Sequence, residues 1–379
     1  MALCRDFSGI LVCDKSFYLW AFCLFKLLLS KRSAGVMKKS FSLAPVSLLA
    51  VAREAGVSRA TASLVLRESP LVATKTRERV QEAMKRLGYI YNRGAANLRQ
   101  NRTHTIGLVL PNIANPFFSK LTAGVDEIND TNDVVCFIAN STESVDRQAR
   151  QLQRLREHNV DGVIICPAVG SCQTPLDDLK RLKLPFVQAL RQVSSDDSDY
   201  VAADYATGIE KAVTHLVRTG RRRIMFVGNM NVHSAAQARC EGFMRAVALH
   251  HLPQTLIVSG GAENTYDEAV FDTLLNSSDP PDSAICYNDI MALNVMNRLQ
   301  AHGIAVGKEF AVIGMDDLPQ ASASYPALTT IATGPRDIGR AAANLLQARL
   351  DNPERSREHI ILSPQLIIRA SCGENAYLG

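Results

Sequence analysis

From Leu48 to Leu66 apolar residues fall at helical spacing, interrupted by one glycine. Leu48, Leu49, Ala52 and Ala55 share a face, Gly56 breaks the run, and Ser58 stands where it can cap a second helix. Two short helices joined by a tight glycine-containing turn make a helix-turn-helix, with Val51, Val57 and Ala62 expected inside. A third helix is predicted from a Thr74 cap, with Val80, Ala83, Met84 and Leu87 as its apolar stripe and Gly88 as its stop. Beyond Thr105 the pattern changes. Strand-length apolar runs at 106–110, 134–139, 162–166, 186–190, 224–228, 256–259, 284–287 and 310–314 alternate with helical stretches at 117–129, 145–158, 206–219, 235–249 and 290–302. Buried strands alternating with helices imply parallel sheets covered on both faces. The pattern restarts near Asp204, so two similar lobes are expected. A helix at 335–350 is expected to return to the first lobe, followed by short strands at 359–362 and 365–369. The predicted fold is an all-α helix-turn-helix headpiece plus an α/β core of two doubly wound lobes.

Charge separates these parts further. Residues 37–104 carry thirteen Lys or Arg against four Glu, a net of +9, and residues 1–36 carry +3; the total of +5 leaves 105–379 at −7. A small basic module ahead of a large acidic one points to a polyanion as partner of the first. With 379 residues, 47% hydrophobic and 21% charged, the composition is that of a globular protein, excluding fibrous and wholly disordered classes. The nine cysteines form no CxxC and no zinc-spaced cluster with histidine, so reduced thiols and a cytoplasmic location are expected.

The first 36 residues fit neither module. Residues 17–29 (FYLWAFCLFKLLL) are dense in apolar groups but too short for a bilayer span, which needs about 20 residues. The second methionine, Met37, opens a stretch typical of a soluble start. Residues 1–36 are therefore expected to derive from an upstream start codon and to contribute nothing to function; a membrane-surface helix and a signal sequence are the alternatives.

Several motifs carry a family resemblance. VAREAGVSRATASLVL (51–66), TRERVQEAMKRLGYIYNRGAANLR (76–99), TIGLVLPNIANPFF (105–118), ARCEGF (238–243), CYNDIMA (286–292), VIGMDD (312–317) and PQLIIR (364–369) occur in that order. Together they resemble the lactose/galactose repressor family of bacterial transcription regulators from Leu48 to Arg369. The resemblance implies domains at 44–91 (DNA-binding), 92–104 (hinge helix and linker) and 105–369 (effector binding and dimerisation), with 370–379 as a tail. Ser58, Arg59, Ala60, Thr61 and Ser63 crowd the N-terminal end of the second helix, the end that would enter a major groove, and the resemblance puts Leu64 at a variable base-reading position. Departures at Ala50, Ala62 and Arg67 bear on which operator is read. Residues 92–99 are too poor in apolar groups to form a stable helix alone. The family implies a hinge helix that folds on DNA, with Leu98 as a minor-groove wedge and Asn92 and Arg99 on phosphates; a flexible linker is the alternative.

The paired lobes also resemble periplasmic sugar-binding proteins, whose ligand lies in the cleft at the carboxyl ends of the strands. Motif matching implies effector contacts at Arg239, Asn288 and Asp316, with Phe117 and Asp204 as further candidates. Each has a plainer alternative: Asn288 and Asp316 as helix or turn caps, Arg239 in an ion pair, Phe117 in the core. No phosphate loop, HExxH or GxSxG motif is present and the histidines are scattered, so no catalytic, cofactor or metal site is expected. The expected molecule is a homodimeric repressor on a palindromic operator, responding to a sugar or sugar-derived metabolite. A periplasmic solute-binding protein is the rival, and it leaves the basic headpiece unexplained.

Overall fold

The computed structural model describes residues 46–90, 102–171, 174–181, 183–193, 198–229, 232–253, 256–260 and 265–373. The N-terminal apolar run, and the hinge candidates Asn92, Leu98 and Arg99, lie outside the described residues. The chain divides into two compact units, Met1–Asn92 and Arg93–Gly379. Among the described residues no helix is long and apolar enough to cross a membrane.

Among the described residues the first unit holds three helices, α1 (Leu48–Glu54), α2 (Arg59–Leu66) and α3 (Thr74–Leu87), around Val51, Ala52, Ala62, Val65, Val80 and Ala83. Ser47 caps α1 by accepting from Ala50 N. Gly56 turns the chain at φ 61° and Gly88 ends α3 at φ 64°, left-handed conformations that cost glycine little. Thr74 is not the cap the pattern suggested. Ala73 holds that position without a side-chain hydrogen bond, and Thr74 is already helical.

The second unit runs β1 (Thr105–Leu110), α4 (Pro116–Thr131), β2 (Val135–Asn140), α5 (Val145–Glu157), β3 (Gly162–Ile165), α6 (Thr174–Arg181), β4 (Phe186–Ala189) and β5 (Asp199–Ala203) through its first lobe. The second lobe follows with α7 (Tyr205–Arg218), β6 (Ile224–Gly228), α8 (Ser234–Leu249), β7 (Leu256–Ser259), α9 (Glu268–Leu275), β8 (Ser283–Cys286), α10 (Asp289–Ala301), β9 (Ala311–Met315), α11 (Pro319–Ala323) and β10 (Thr329–Ala332). Then come α12 (Pro335–Asp351), β11 (His359–Leu362) and β12 (Gln365–Ile367). The sheets have orders β11-β5-β4-β3-β1-β2 and β12-β10-β9-β8-β6-β7, parallel throughout except where β12 meets β10 antiparallel. Strands β5 and β10 and helices α6, α9 and α11 are additions to the elements expected from sequence. Ser371 and Cys372, inside the segment expected to be a tail, are buried: Ser371 donates to Val312 O at 2.5 Å and accepts from Thr329 N at 2.8 Å.

The chain passes between lobes three times, after β5, after β10 and after β11. The second passage returns α12 to the first lobe, where it packs on α4 and on strands β3 to β5. Two glycines permit this. A methyl group at Gly124 would collide with the Arg336 carbonyl, and one at Gly339 with the Leu121 carbonyl, so the helices touch backbone to backbone. Arg349 at the end of α12 grips the fully buried Asp199 with Nε and Nη2 at 2.8 and 3.0 Å. Its Nη1 and Nη2 also donate to the carbonyls of Pro353 and Ser356, so the buried charges are fully hydrogen-bonded. We expect Gly339→Ala to destabilise the second unit by about 1–3 kcal/mol through overpacking, read as a lower thermal midpoint.

Candidate functional site

In the first unit the end of α2 is built by Ser58. Its hydroxyl accepts from Thr61 N at 3.0 Å and lies 2.9 Å from Thr61 Oγ1, satisfying a first-turn donor and fixing where the helix begins. Ser58, Arg59 and Ala60 are exposed and Thr61 and Ser63 half-buried, so five of the six candidates form one accessible end. Leu64 is half-buried and packs partly on the unit's core. Arg67 donates to Ser63 Oγ at 3.1 Å, which ties that hydroxyl to one of the residues by which the motif departs from the family it resembles.

In the second unit a cavity of about 620 Å³ opens at the carboxyl ends of the strands of both lobes. Phe117, Arg239, Asn288 and Asp316 line it together with Arg191, Tyr205, His233 and Tyr287. Arg239 projects from α8 and is buried. Its guanidinium lies 4.0 Å from the centroid of the Tyr205 ring and 4.4 Å from that of Tyr287, a cation–π pairing with each. Nη1 donates to Ala235 O at 2.8 Å and Nε approaches Met315 Sδ at 3.1 Å. No carboxylate lies within ion-pair distance of Arg239 among the described residues.

His233 stands before α8 and caps it. Nδ1 accepts from Ala236 N at 3.1 Å and Nε2 lies 3.0 Å from Tyr287 Oη. Burial, aided by Arg191 and Arg239, presses its pKa down to about 2, so the ring is neutral, Nε2 carries the proton, and that proton is donated to the tyrosine oxygen. Arg191 enters from the opposite lobe. Its two terminal nitrogens meet Glu143 at 3.0 and 2.9 Å, and Glu143 also accepts from Val169 N at 2.9 Å. Leu190 turns at φ 66°, inside a three-residue turn where Arg191 N donates to Ala189 O at 2.7 Å. Such a backbone costs about 1–3 kcal/mol, and here it aims the arginine. Thr142, Glu143 and Asp316 also line the cavity with positive φ.

Asp316 is buried, which raises its pKa well above the carboxylate range, opposed by nearby Arg239. Asn288 uses Oδ1 to cap α10, accepting from Met291 N at 2.9 Å; it is both cap and cavity wall. Phe117 likewise belongs to both core and wall. Asp204 caps α7 instead, its carboxylate accepting from Thr207 N and Thr207 Oγ1 at 3.0 and 2.7 Å, and it is not among the lining residues. The sequence reading had no role for His233, Tyr287, Tyr205 or Arg191. Among the described residues no group of three or more His, Cys, Asp or Glu could hold a metal ion.

Comparison with known proteins places this arrangement. Residues 47–92 match the model of bacterial regulatory proteins, lacI family, and residues 213–372 that of the periplasmic binding protein-like domain. Catabolite control protein A of Priestia megaterium is 30% identical over 327 residues, covering 85% of this chain and 97% of that protein. The chain belongs to the lacI family. The HTH-type transcriptional repressor PurR of Aliivibrio salmonicida is 29% identical over 323 residues, 85% of this chain and 97% of the relative. Among solved structures, a Lac repressor dimer bound to operator and the anti-inducer ONPF is similar with a TM-score of 0.75 and 25% identity, over 86% of this chain and 99% of that one. A complex of the transcriptional regulator CelR with cellobiose is similar with a TM-score of 0.65 and 28% identity, over 86% and 99%. As a lacI-family member the chain is a DNA-binding transcriptional regulator, as the resemblance in its motifs implied.

One buried acid beside the cavity yields a pH prediction. Asp289 accepts from Thr330 Oγ1 at 2.5 Å and from Leu318 N at 2.7 Å, and burial raises its pKa to about 7. The folded state therefore holds a proton that the unfolded chain releases near the ordinary carboxylate value. That contribution to stability is complete below the unfolded value and is lost as pH rises through about 7. Thermal midpoints are expected to fall from pH 5 to pH 8, and Asp289→Asn to flatten the decline.

Proposed function

We propose that this protein is a cytoplasmic repressor that binds a palindromic operator as a homodimer and takes a small-molecule effector in the cavity between its lobes. The observation that carries the reading is one cavity bearing a buried arginine at the strand ends of two lobes, in a chain that also presents an exposed, capped recognition helix. Arg239, Asn288, Asp316 and Phe117 are the proposed effector contacts. Ser58, Arg59, Ala60, Thr61 and Ser63 are the proposed contacts to DNA, with Leu64 beside them; Asn92, Leu98 and Arg99 are proposed for the hinge. One recognition helix reads only a few base pairs while phosphate contacts favour any duplex, so two-fold pairing supplies discrimination.

Binding in such a cavity acts on both lobes at once, because its walls come from each and the three passages between lobes are the places where they can move. An effector that favours one lobe arrangement shifts operator affinity by its differential affinity for the two arrangements, and operator must shift effector affinity by the same factor. Nothing in this scheme needs catalysis. Selection from random duplexes with the full chain is expected to enrich an inverted repeat; recovery of no preferred sequence would overturn the reading. Leu98→Ala is expected to weaken binding to that repeat by at least about tenfold while leaving non-specific binding nearly unchanged. Equal losses on both would count against the wedge.

A further inference from the structure

The polar groups around the cavity are unevenly divided between donors and acceptors. Asn112 and Asn115 each commit Oδ1 to a backbone N–H, of Ala114 at 2.9 Å and of Phe117 at 3.0 Å, so the group each can offer a ligand is its amide N–H. His233 gives its ring proton to Tyr287 Oη. The tyrosine oxygen is thus used as an acceptor, and its own hydrogen is the part available to donate. Arg191 and Glu143 satisfy each other, and Val169 N takes up further acceptor capacity on the glutamate. Arg239 differs. Its relative exposure is 5%, two tyrosine rings lie against the guanidinium, and among the described residues it donates to the neutral acceptors Ala235 O and Met315 Sδ.

A buried cation without a bound counter-charge is costly, and a cavity wall rich in N–H and O–H groups is best met by acceptors. Given the reading of this cavity as the effector site, we infer that the effector is a small organic anion whose oxyanion meets Arg239 and the hydroxyl of Tyr287. The chemistry fits a carboxylate, as in a sugar acid, or a phosphate ester, as in a sugar phosphate. Asp316 is consistent with this, since burial favours its neutral form, which adds a donor rather than a second negative charge.

The experiment uses the full chain on the inverted repeat recovered by selection, followed by fluorescence anisotropy. A metabolite extract is split on a quaternary-ammonium exchanger at pH 7 into retained and unretained fractions. D-gluconate, D-galacturonate and glucose 6-phosphate are run beside D-glucose, cellobiose and hypoxanthine. The retained fraction is expected to change operator affinity by about tenfold or more. Loss of that effect after phosphatase treatment identifies a phosphate ester, and persistence a carboxylate. Tyr287→Phe is expected to raise the half-maximal concentration of the retained fraction about tenfold. A response to the unretained fraction alone would overturn the anion assignment while leaving the regulator reading intact. A response to neither fraction would overturn both this assignment and effector control, and failure to bind any repeat would remove the regulator reading itself.

Discussion

The structure depends on how each parallel strand hands the chain to a helix. A helix begins with backbone N–H groups that have no partner within it, and a strand end at the edge of a cleft has little else nearby to satisfy them. Here side chains do so: Asn115 for α4, Ser144 for α5, Asp204 for α7, His233 for α8 and Asn288 for α10. Each cap fixes where its helix starts, and three of these five residues also line the cavity. The groups that shape the wall are thus oriented by the same bonds that start the helices. A rigid wall follows from local backbone satisfaction, without a separate layer of supports.

The two lobes are alike in topology but differ in how they are completed. The second acquires β12 and the 370–373 turn from the chain end; the first acquires β11 and α12. Hydrogen bonds cross the cleft beside the apolar cluster that the lobes share. Lys120 of α4 donates to Asp317 O at 2.7 Å, and Gln192 N donates to Ser234 Oγ at 2.9 Å. Bonds of this kind contribute on the order of 1 kcal/mol each, small beside the glycine-mediated packing of α12 on α4.

Much of this was legible in the sequence, because the helix-turn-helix and most strands announce themselves through periodicity and glycine placement. What escaped did so for physical reasons. Strand β5 begins at Asp199, an acid that is buried only because Arg349, 150 residues further on, neutralises it. Strand β10 is TTIA, whose two buried threonines look like loop residues until Asp289 and Arg369 supply their partners. In the cavity, Arg239, Asn288 and Asp316 were found through their motifs. His233 is one of the scattered histidines, because its partners are a backbone amide three residues ahead and a tyrosine 54 residues away. Its position in the turn from β6 to α8, immediately before the helix, is the available signal. Asp204 follows the same positional rule; its carboxylate caps α7, and it is not among the residues lining the cavity.

The return of α12 and β11 to the first lobe also sets an order for biosynthesis. A nascent chain emerging from the ribosome presents β1 to β5 early, but their sheet lacks its outer strand β11 and its covering helix α12 until residue 362 has been made. The first lobe to be translated is thus the one that must wait. In the interval its exposed apolar face is a liability of the kind that recruits chaperones, and the second lobe, nearly complete by residue 332, is positioned to fold ahead of it.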